Sequence, residues 1–364
     1  MRKLFQFLPV VLVIFFCNFN SRAQKHSVSA SAPQLEFSRP KLIENVGANL
    51  MFAARFNCDS DGTIYARVLS RNSDSDPMLL AIHPDGTSTS FSAQLPGFTA
   101  ISAPRSVFVG NGRVYALVYA KSISPNPGDA SRRWLVLIFD KQGALTNTVQ
   151  LEQGMRPLLV GAFPSGHILL GSEDRLNHRM ALTLVDEHGT DVGEIALRDN
   201  DFVARAASLP QDSEPGNYSA MLLIPMSQFI SSGDQLLLVP EGTSGLPVVE
   251  LKEEGVVNSL VPKMPDGEIL AAFLGFDATT FTAQLGTMTV PKSPINDKDA
   301  SGKHLTMGTY PLASVVKISR TDGSIVKEIS LGGNQAQPAC EVDGVLHSLT
   351  ASEGRLQVTA AILH

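Results

Sequence analysis

Arginine is the residue type whose spacing in this chain is best suited to chemistry. Arg55 and Arg105 each stand seven residues before the glycine of a polar turn, Gly62 and Gly112. The planar guanidinium group binds carboxylate or phosphate through paired hydrogen bonds. We expect the two residues to form an anion-binding surface with five further arginines in neighbouring connections, namely Arg132, Arg133, Arg156, Arg175 and Arg179.

Nearby acidic residues offer a simpler interpretation of these arginines. Asp129, Glu173 and Asp174 lie in the same connections. Exposed ion pairs of this kind are common in solvated loops, and each contributes little to stability. In a chain of net charge −6, an arginine cluster would still focus an anionic ligand, so both interpretations stay open.

The histidines do not show the spacing of a catalytic or metal site. His83 and His188 fall in polar turns, and His347 takes a strand position held by Tyr65 and Tyr115 in other repeats, which predicts a packed core residue. His167, His178 and His304 lack an H-x-x-x-H arrangement. The chain has no G-x-S-x-G elbow, P-loop or EF-hand loop. The sequence therefore predicts no catalytic residue, no metal ligand and no cofactor.

Two kinds of polar turn divide the chain into apolar runs, and these runs must position the arginines. The first kind ends in a glycine that follows Asp, Asn or Ser, a strong hairpin signal: Gly62, Gly112, Gly166, Gly233, Gly267 and Gly344. The second kind follows each of the first five copies: Gly86, Gly143, Gly189, Gly255 and Gly323. Two hairpin turns per repeat predict four strands, A to D.

The sixth repeat ends after its third strand, at residues 356–363. Residues 35–46 form an extra strand-like piece before the first repeat. If this piece completes the last sheet, two exposed edges disappear at once. The sequence therefore predicts an all-β fold, a six-bladed β-propeller of four-stranded antiparallel blades. A seventh blade within residues 202–225 is the alternative.

Two of these turns resemble the repeats of NHL-type six-bladed propellers. They are Asp59-Ser60-Asp61-Gly62-Thr63-Ile64-Tyr65 and Phe139-Asp140-Lys141-Gln142-Gly143. The resemblance implies a family that includes lyases, lactonase-like hydrolases and binding scaffolds. Its enzymes imply a divalent cation at the channel mouth, held by carboxylates, Asn or His from the starts of several A strands. Arg55 and Arg105 are the residues aligned there, and they have the wrong charge for a cation.

The three longest connections are predicted to emerge on one face of the propeller. They are residues 121–133 and 277–311, both B–C loops, and residues 198–226, a D–A connection. We call the face that carries the B–C loops and D–A connections the long-loop face. Long loops on a rigid scaffold often carry function, so we expect ligand binding there.

The N-terminus has the features of a secretory signal peptide. Arg2 and Lys3 precede an apolar stretch at 7–17, and Ser21-Arg22-Ala23 offers a cleavage site. We expect cleavage after Ala23, a disordered spacer at 24–34 and one propeller domain at 35–364. The apolar stretch is shorter than the roughly 20 residues of a membrane span. A lipid anchor at Cys17 is disfavoured because bulky Phe15 and Phe16 precede it.

Cys58 and Cys340 remain after removal of the signal, and each stands four residues before its turn glycine. Ring closure would make their blades neighbours. Export permits a disulfide between them, while two buried thiols that pack as small apolar residues are the alternative.

These features together predict a secreted or periplasmic, non-catalytic, monomeric propeller. We expect it to bind a protein or an anionic glycan-like ligand on the long-loop face. The acidic net charge and the absence of a basic run exclude nucleic acid as a partner. The alternative is a metal-dependent hydrolase or lyase of the NHL or lactonase-like kind.

Overall fold

A computed structural model describes residues 36–43, 50–70, 77–122, 132–152, 155–174, 179–197, 227–242, 245–287, 295–298, 304–307, 314–331, 336–352 and 355–363. They belong to one compact unit, Pro33–His364. Their regular structure consists of β-strands. In this part of the chain, no helix is long and apolar enough to cross a membrane.

The strands of the first three repeats, numbered in chain order, are β1 (Lys41–Leu42), β2 (Leu50–Cys58), β3 (Ile64–Ser70), β4 (Leu79–Ile82), β5 (Ser88–Phe91), β6 (Phe98–Ile101), β7 (Ser106–Gly110), β8 (Arg113–Ser122), β9 (Arg132–Asp140), β10 (Leu145–Gln150), β11 (Pro157–Ala162), β12 (Ile168–Asp174), β13 (Arg179–Val185) and β14 (Asp191–Ile195). Those of the later repeats are β15 (Ser227–Ser232), β16 (Gln235–Pro240), β17 (Val248–Lys252), β18 (Gly255–Leu260), β19 (Glu268–Phe276), β20 (Thr280–Thr287), β21 (Ile295–Lys298), β22 (His304–Met307), β23 (Ser314–Ser319), β24 (Ile325–Ser330), β25 (Gln337–Val342), β26 (Val345–Ser352) and β27 (Arg355–Ile362).

These strands form six antiparallel blades, which confirms the predicted six-bladed propeller. The blades are β2–β5, β7–β10, β11–β14, β15–β18, β19–β20–β23–β24 and β25–β27 with β1. The innermost strand of blade 2 is split, because β6 and β7 both pair with β8. Residues 202–225, where a seventh blade was the alternative, lie outside the described residues.

The ring closes through the N-terminal strand, as the incomplete last repeat predicts. Lys41 pairs with Val358 and Leu42 with Gln357, antiparallel. Strand β1 thereby becomes the outer strand of blade 6. Without it, β27 would present a row of unpaired backbone groups at a sheet edge, a site for aggregation.

The predicted A–B turn of blade 5 at Gly267 is wrong. Strand β19, directly after Gly267, is itself the inner strand of this blade, and its turn into β20 is formed by residues 277–279. No glycine is needed there because the Asp277 carboxylate accepts hydrogen bonds from the backbone N–H groups of Thr279 and Thr280, both at 2.7 Å. The B–C loop of blade 5 therefore spans residues 288–313 and not 277–311.

Neighbouring blades pack face to face through apolar side chains. Between blades 1 and 2, the buried ring of Phe91 stands edge-on to Tyr65 and Phe139, with ring centroids 6.0 and 5.5 Å apart. Such aromatic pairs add roughly 0.5–1.5 kcal/mol beyond the burial of their area. The blade interfaces are therefore the hydrophobic core.

Glycines of the C–D turns also hold the blades together. A Cβ atom on Gly143 of blade 2 would lie 2.6 Å from the carbonyl oxygen of Ser90 in blade 1. In the same way, a Cβ atom on Gly86 of blade 1 would lie 3.2 Å from the carbonyl oxygen of Leu42 in the closing strand. These turns need glycine for close packing between blades as well as for turn geometry.

Candidate functional site

A buried polar network crosses the axial channel near the middle of the inner strands. Its centre is Glu241, which follows β16 and is 1% exposed. One carboxylate oxygen accepts hydrogen bonds from the Gln228 side chain at 2.7 Å and the Phe273 backbone at 2.8 Å. The other oxygen pairs with Nε of Arg55 at 2.9 Å. Asn57 extends the network from blade 1 by donating to Gln228 at 3.2 Å.

Burial and these contacts have opposite effects on the pKa of Glu241. Burial raises the pKa of its carboxyl above the ordinary value, while Arg55 and the hydrogen bonds from Phe273 and Gln228 lower it. A buried carboxylate without a cationic partner would cost several kcal/mol. Arg55, predicted to bind an anionic ligand, instead balances this buried charge and joins blade 1 to the far side of the ring.

A cavity of about 250 Å³ lies on the other side of this network, toward the A–B turns. Asn57 and Gln228 line its inner end, and Asp59, Ser231, Phe276 and Asp343 line the part nearest the turns. The cavity is therefore open at the face opposite the long-loop face. We call it the turn-face cavity.

A β-hairpin inserted in blade 5 extends toward the opposite end of the channel. Strands β21 and β22 pair with each other, and β22 runs parallel to the first residues of β2, with Leu305 opposite Leu50 and Met307 opposite Phe52. Because β2 is the innermost strand of blade 1, a strand on its free edge lies on the axial side. The hairpin thus adds backbone over the long-loop end of the channel.

The predicted arginines have different surroundings. Arg105, just before β7, and Arg156, just before β11, are exposed. Arg133 is half-buried at the start of β9. Only the backbone of Arg132 and Arg179 is described, and Arg175 lies outside the described residues. An anion-binding role for these arginines stays a prediction.

His347 has the packed position predicted from its place in the repeat. It is 8% exposed and faces Gly62, where a Cβ atom would meet its ring at 2.8 Å. Burial lowers the pKa of His347, and Asp61 opposes that effect.

The other described histidine side chains lie in polar turns. The His83 ring lies between the hydroxyls of Thr63 and Thr89, at 3.0 and 3.2 Å. His167 contacts Glu253 of the next blade at 2.9 Å. In the described part of the chain, no three His, Cys, Asp or Glu residues are grouped so that they could hold a metal ion.

Cys58 and Cys340 form a disulfide between the inner strands of blades 1 and 6, and their Cα atoms are 6.0 Å apart. This separation is within the range that a disulfide can bridge. The bond lies beside the turn-face cavity, which Cys58 also lines.

Glu241 and Gln228 are the functional candidates that the sequence did not indicate. Glu241 directly follows the apolar run 236–240 of β16, and this acidic residue next to an apolar run was the available signal. Its partner Arg55 is far away in sequence, so only the ring topology identifies the pair.

Comparison with known proteins gives distant structural likenesses. No protein-family model and no curated protein matches the chain. The WD40 domain of Neurospora crassa Pan2 has a TM-score of 0.40 and 9% identity, covering 87% of this chain and 90% of that chain. A chain of the nidogen/laminin complex has a TM-score of 0.38 and 12% identity, covering 77% and 79%.

A Trypanosoma rangeli sialidase mutant displaying trans-sialidase activity has a TM-score of 0.39 and 12% identity, covering 92% of this chain and 58% of that chain. Likenesses this distant carry no argument about activity or ligand. The assignment as a six-bladed propeller rests on the strand pairings of the chain itself, and the resemblance to NHL-type propellers stays a prediction.

Proposed function

We propose that this protein is a secreted, non-catalytic binding propeller that presents its long-loop face to a protein or an anionic glycan-like ligand. The observation that carries the proposal is the inserted hairpin β21–β22. It leaves blade 5 and pairs with the inner strand of blade 1. This insertion links blade 5 to blade 1, past the intervening blade 6, on that face.

Exposed arginines give this face its expected ligand class. Arg105 and Arg156 precede the inner strands of blades 2 and 3, which are neighbours in the ring, and both are exposed. Two guanidinium groups on adjacent blades suit an extended ligand with repeated carboxylate or sulfate groups.

Two features support export. The N-terminal 23 residues have the composition of a signal peptide. The Cys58–Cys340 disulfide is of a kind that persists in oxidising compartments and is rare in the cytosol. No observation in the described residues favours the hydrolase or lyase alternative, and a divalent cation stays an expectation of that alternative.

The proposal is tested by removing positive charge from the long-loop face. We expect Arg105→Ser with Arg156→Ser to weaken binding to a sulfated glycan, measured by titration calorimetry, and to leave the fold intact. A second variant adds Ser at the remaining predicted positions, Arg132, Arg133, Arg175 and Arg179. The control is Arg113→Ser, which removes an exposed arginine after the A–B turn of blade 2. Equal affinities for the wild type and both multiple variants would refute this binding face.

A further inference from the structure

The turn-face cavity has the construction of a small-molecule site. It is enclosed by inner strands from five blades and ends inwardly at the network of Asn57, Gln228 and Glu241. A pocket that combines apolar walls with a few fixed polar groups is typical of ligand sites. It lies at the opposite end of the channel from the long-loop face, so it is independent of the function proposed above.

The described lining residues carry negative charge. Asp59, Glu341 and Asp343 contribute carboxyl groups, and no Lys, Arg or His is among the lining residues that the structure describes. Glu341 is 6% exposed, and its oxygens are fixed by neutral donors, the Gly344 backbone at 2.6 Å and the Thr282 hydroxyl at 3.0 Å. Within the described part of the chain, Asp59 is the one of these three carboxylates with a cationic partner, Lys141 at 2.5 Å, which is not among the lining residues.

Four phenylalanines are among the residues that line the cavity, Phe56, Phe229, Phe273 and Phe276. Phe229 and Phe273 are 1% and 4% exposed, and Phe276 lies nearer the opening, with its ring centroid 6.4 Å from that of Phe273. The face of a phenyl ring attracts cations. Arg320 already uses Phe276 in this way, with Cζ 5.6 Å from the ring centroid, and its own charge is balanced by Glu250 at 2.7 Å.

The carboxylates and phenylalanines of the lining favour some classes of ligand over others. An anion would meet carboxylates without a cationic partner, which is unfavourable in a partly enclosed site. A bare metal ion needs several converging oxygen ligands, and the described carboxylates are not grouped that way. An organic cation can instead be large enough to contact separated carboxylates and aromatic walls together. We propose that the turn-face cavity binds a small organic cation, an alkylammonium group.

The test titrates the full mature chain with choline and with its uncharged isostere 3,3-dimethylbutan-1-ol, followed by NMR chemical shifts. We expect choline to bind and the alcohol to bind more weakly. Asp343→Asn keeps the side-chain shape at a backbone φ of 51° that Asn tolerates. It should weaken choline binding about three-fold, the range of an exposed ion pair, because Asp343 is exposed. Phe276→Leu should weaken it about two- to five-fold through loss of the ring face.

Matched controls separate these effects from general destabilisation. Asp266→Asn and Phe98→Leu make the same chemical changes outside the cavity lining, and both should leave choline affinity unchanged. A parallel titration with N-acetyl-lysine amide distinguishes a partner's lysine side chain from a free quaternary amine as the natural source. Absence of choline binding, equal binding of the alcohol, or equal affinity in Asp343→Asn and Asp266→Asn would each overturn the proposal.

Discussion

Substitution of the C–D turn glycine of blade 2 tests how the blades are held together. In Gly143→Ala, the new Cβ would lie 2.6 Å from the Ser90 carbonyl oxygen, about 0.8 Å inside ordinary van der Waals contact, which begins at 3.4 Å. Overpacking of this kind costs about 1–3 kcal/mol. The positive φ of 87° adds about 1–2 kcal/mol for any residue with a Cβ.

Gly267→Ala provides the matched control. Gly267 has a nearly equal φ of 79° and no atom within 4 Å of its Cβ position, so only the backbone cost of about 1–2 kcal/mol applies. We expect urea unfolding, followed by tryptophan fluorescence, to show Gly143→Ala less stable than Gly267→Ala by about 1–3 kcal/mol. Equal loss of stability in the two variants would refute the close packing between blades.

Three further predictions concern closure, charge and acid stability. Deletion of residues 24–46 removes β1 and exposes the edge of β27, so we expect aggregation or a lower melting temperature; unchanged melting and solubility would contradict the closure. Glu241→Ala removes the buried carboxylate that pairs with the half-buried Arg55 and should cost up to about 3–5 kcal/mol, whereas the double variant Glu241→Leu with Arg55→Met should recover much of that loss; a single variant that unfolds like the wild type would contradict this. Burial raises the pKa of Asp277, but hydrogen bonds from Thr279 and Thr280 outweigh this effect and hold the pKa below its ordinary 3.8. The carboxylate therefore stabilises the fold above that pH, and this stabilisation is lost as the pH falls below it. We expect the urea midpoint of Asp277→Asn to be lower than that of the wild type at neutral pH and to decrease less on acidification; parallel pH profiles of the two proteins would contradict the role of the carboxylate.

The repeat made the architecture predictable because each turn is local. Asp-Gly and Asn-Gly pairs such as those ending at Gly62 and Gly112 specify a hairpin from a few residues. The A–B turn of blade 5 was not predicted because it has no glycine; the Asp277 carboxylate stabilises it through hydrogen bonds to the backbone. The closing strand was also predictable, since the last repeat lacks its fourth strand and the extra strand at the N-terminus can complete that sheet, which leaves neither edge unpaired.

The candidate site was much less predictable, because it depends on contacts between distant residues. The pairing of Arg55 with Glu241 follows from ring closure and leaves no sign in the sequence around either residue. The turn-face cavity is lined by short runs of residues from five inner strands that are far apart in sequence, and no local pattern marks them. The hairpin β21–β22 pairs with a strand more than two hundred residues earlier in the chain, which the sequence of the loop does not indicate.

The most direct test of the closed, exported propeller is peptide mapping of the native protein, purified without reductant, by mass spectrometry. The chain has three cysteines, and Cys58 and Cys340 are 282 residues apart in sequence. Ring closure and export predict one cross-linked peptide pair that contains these two residues and separates on reduction. Two free thiols, or a bond from either residue to Cys17, would contradict the account.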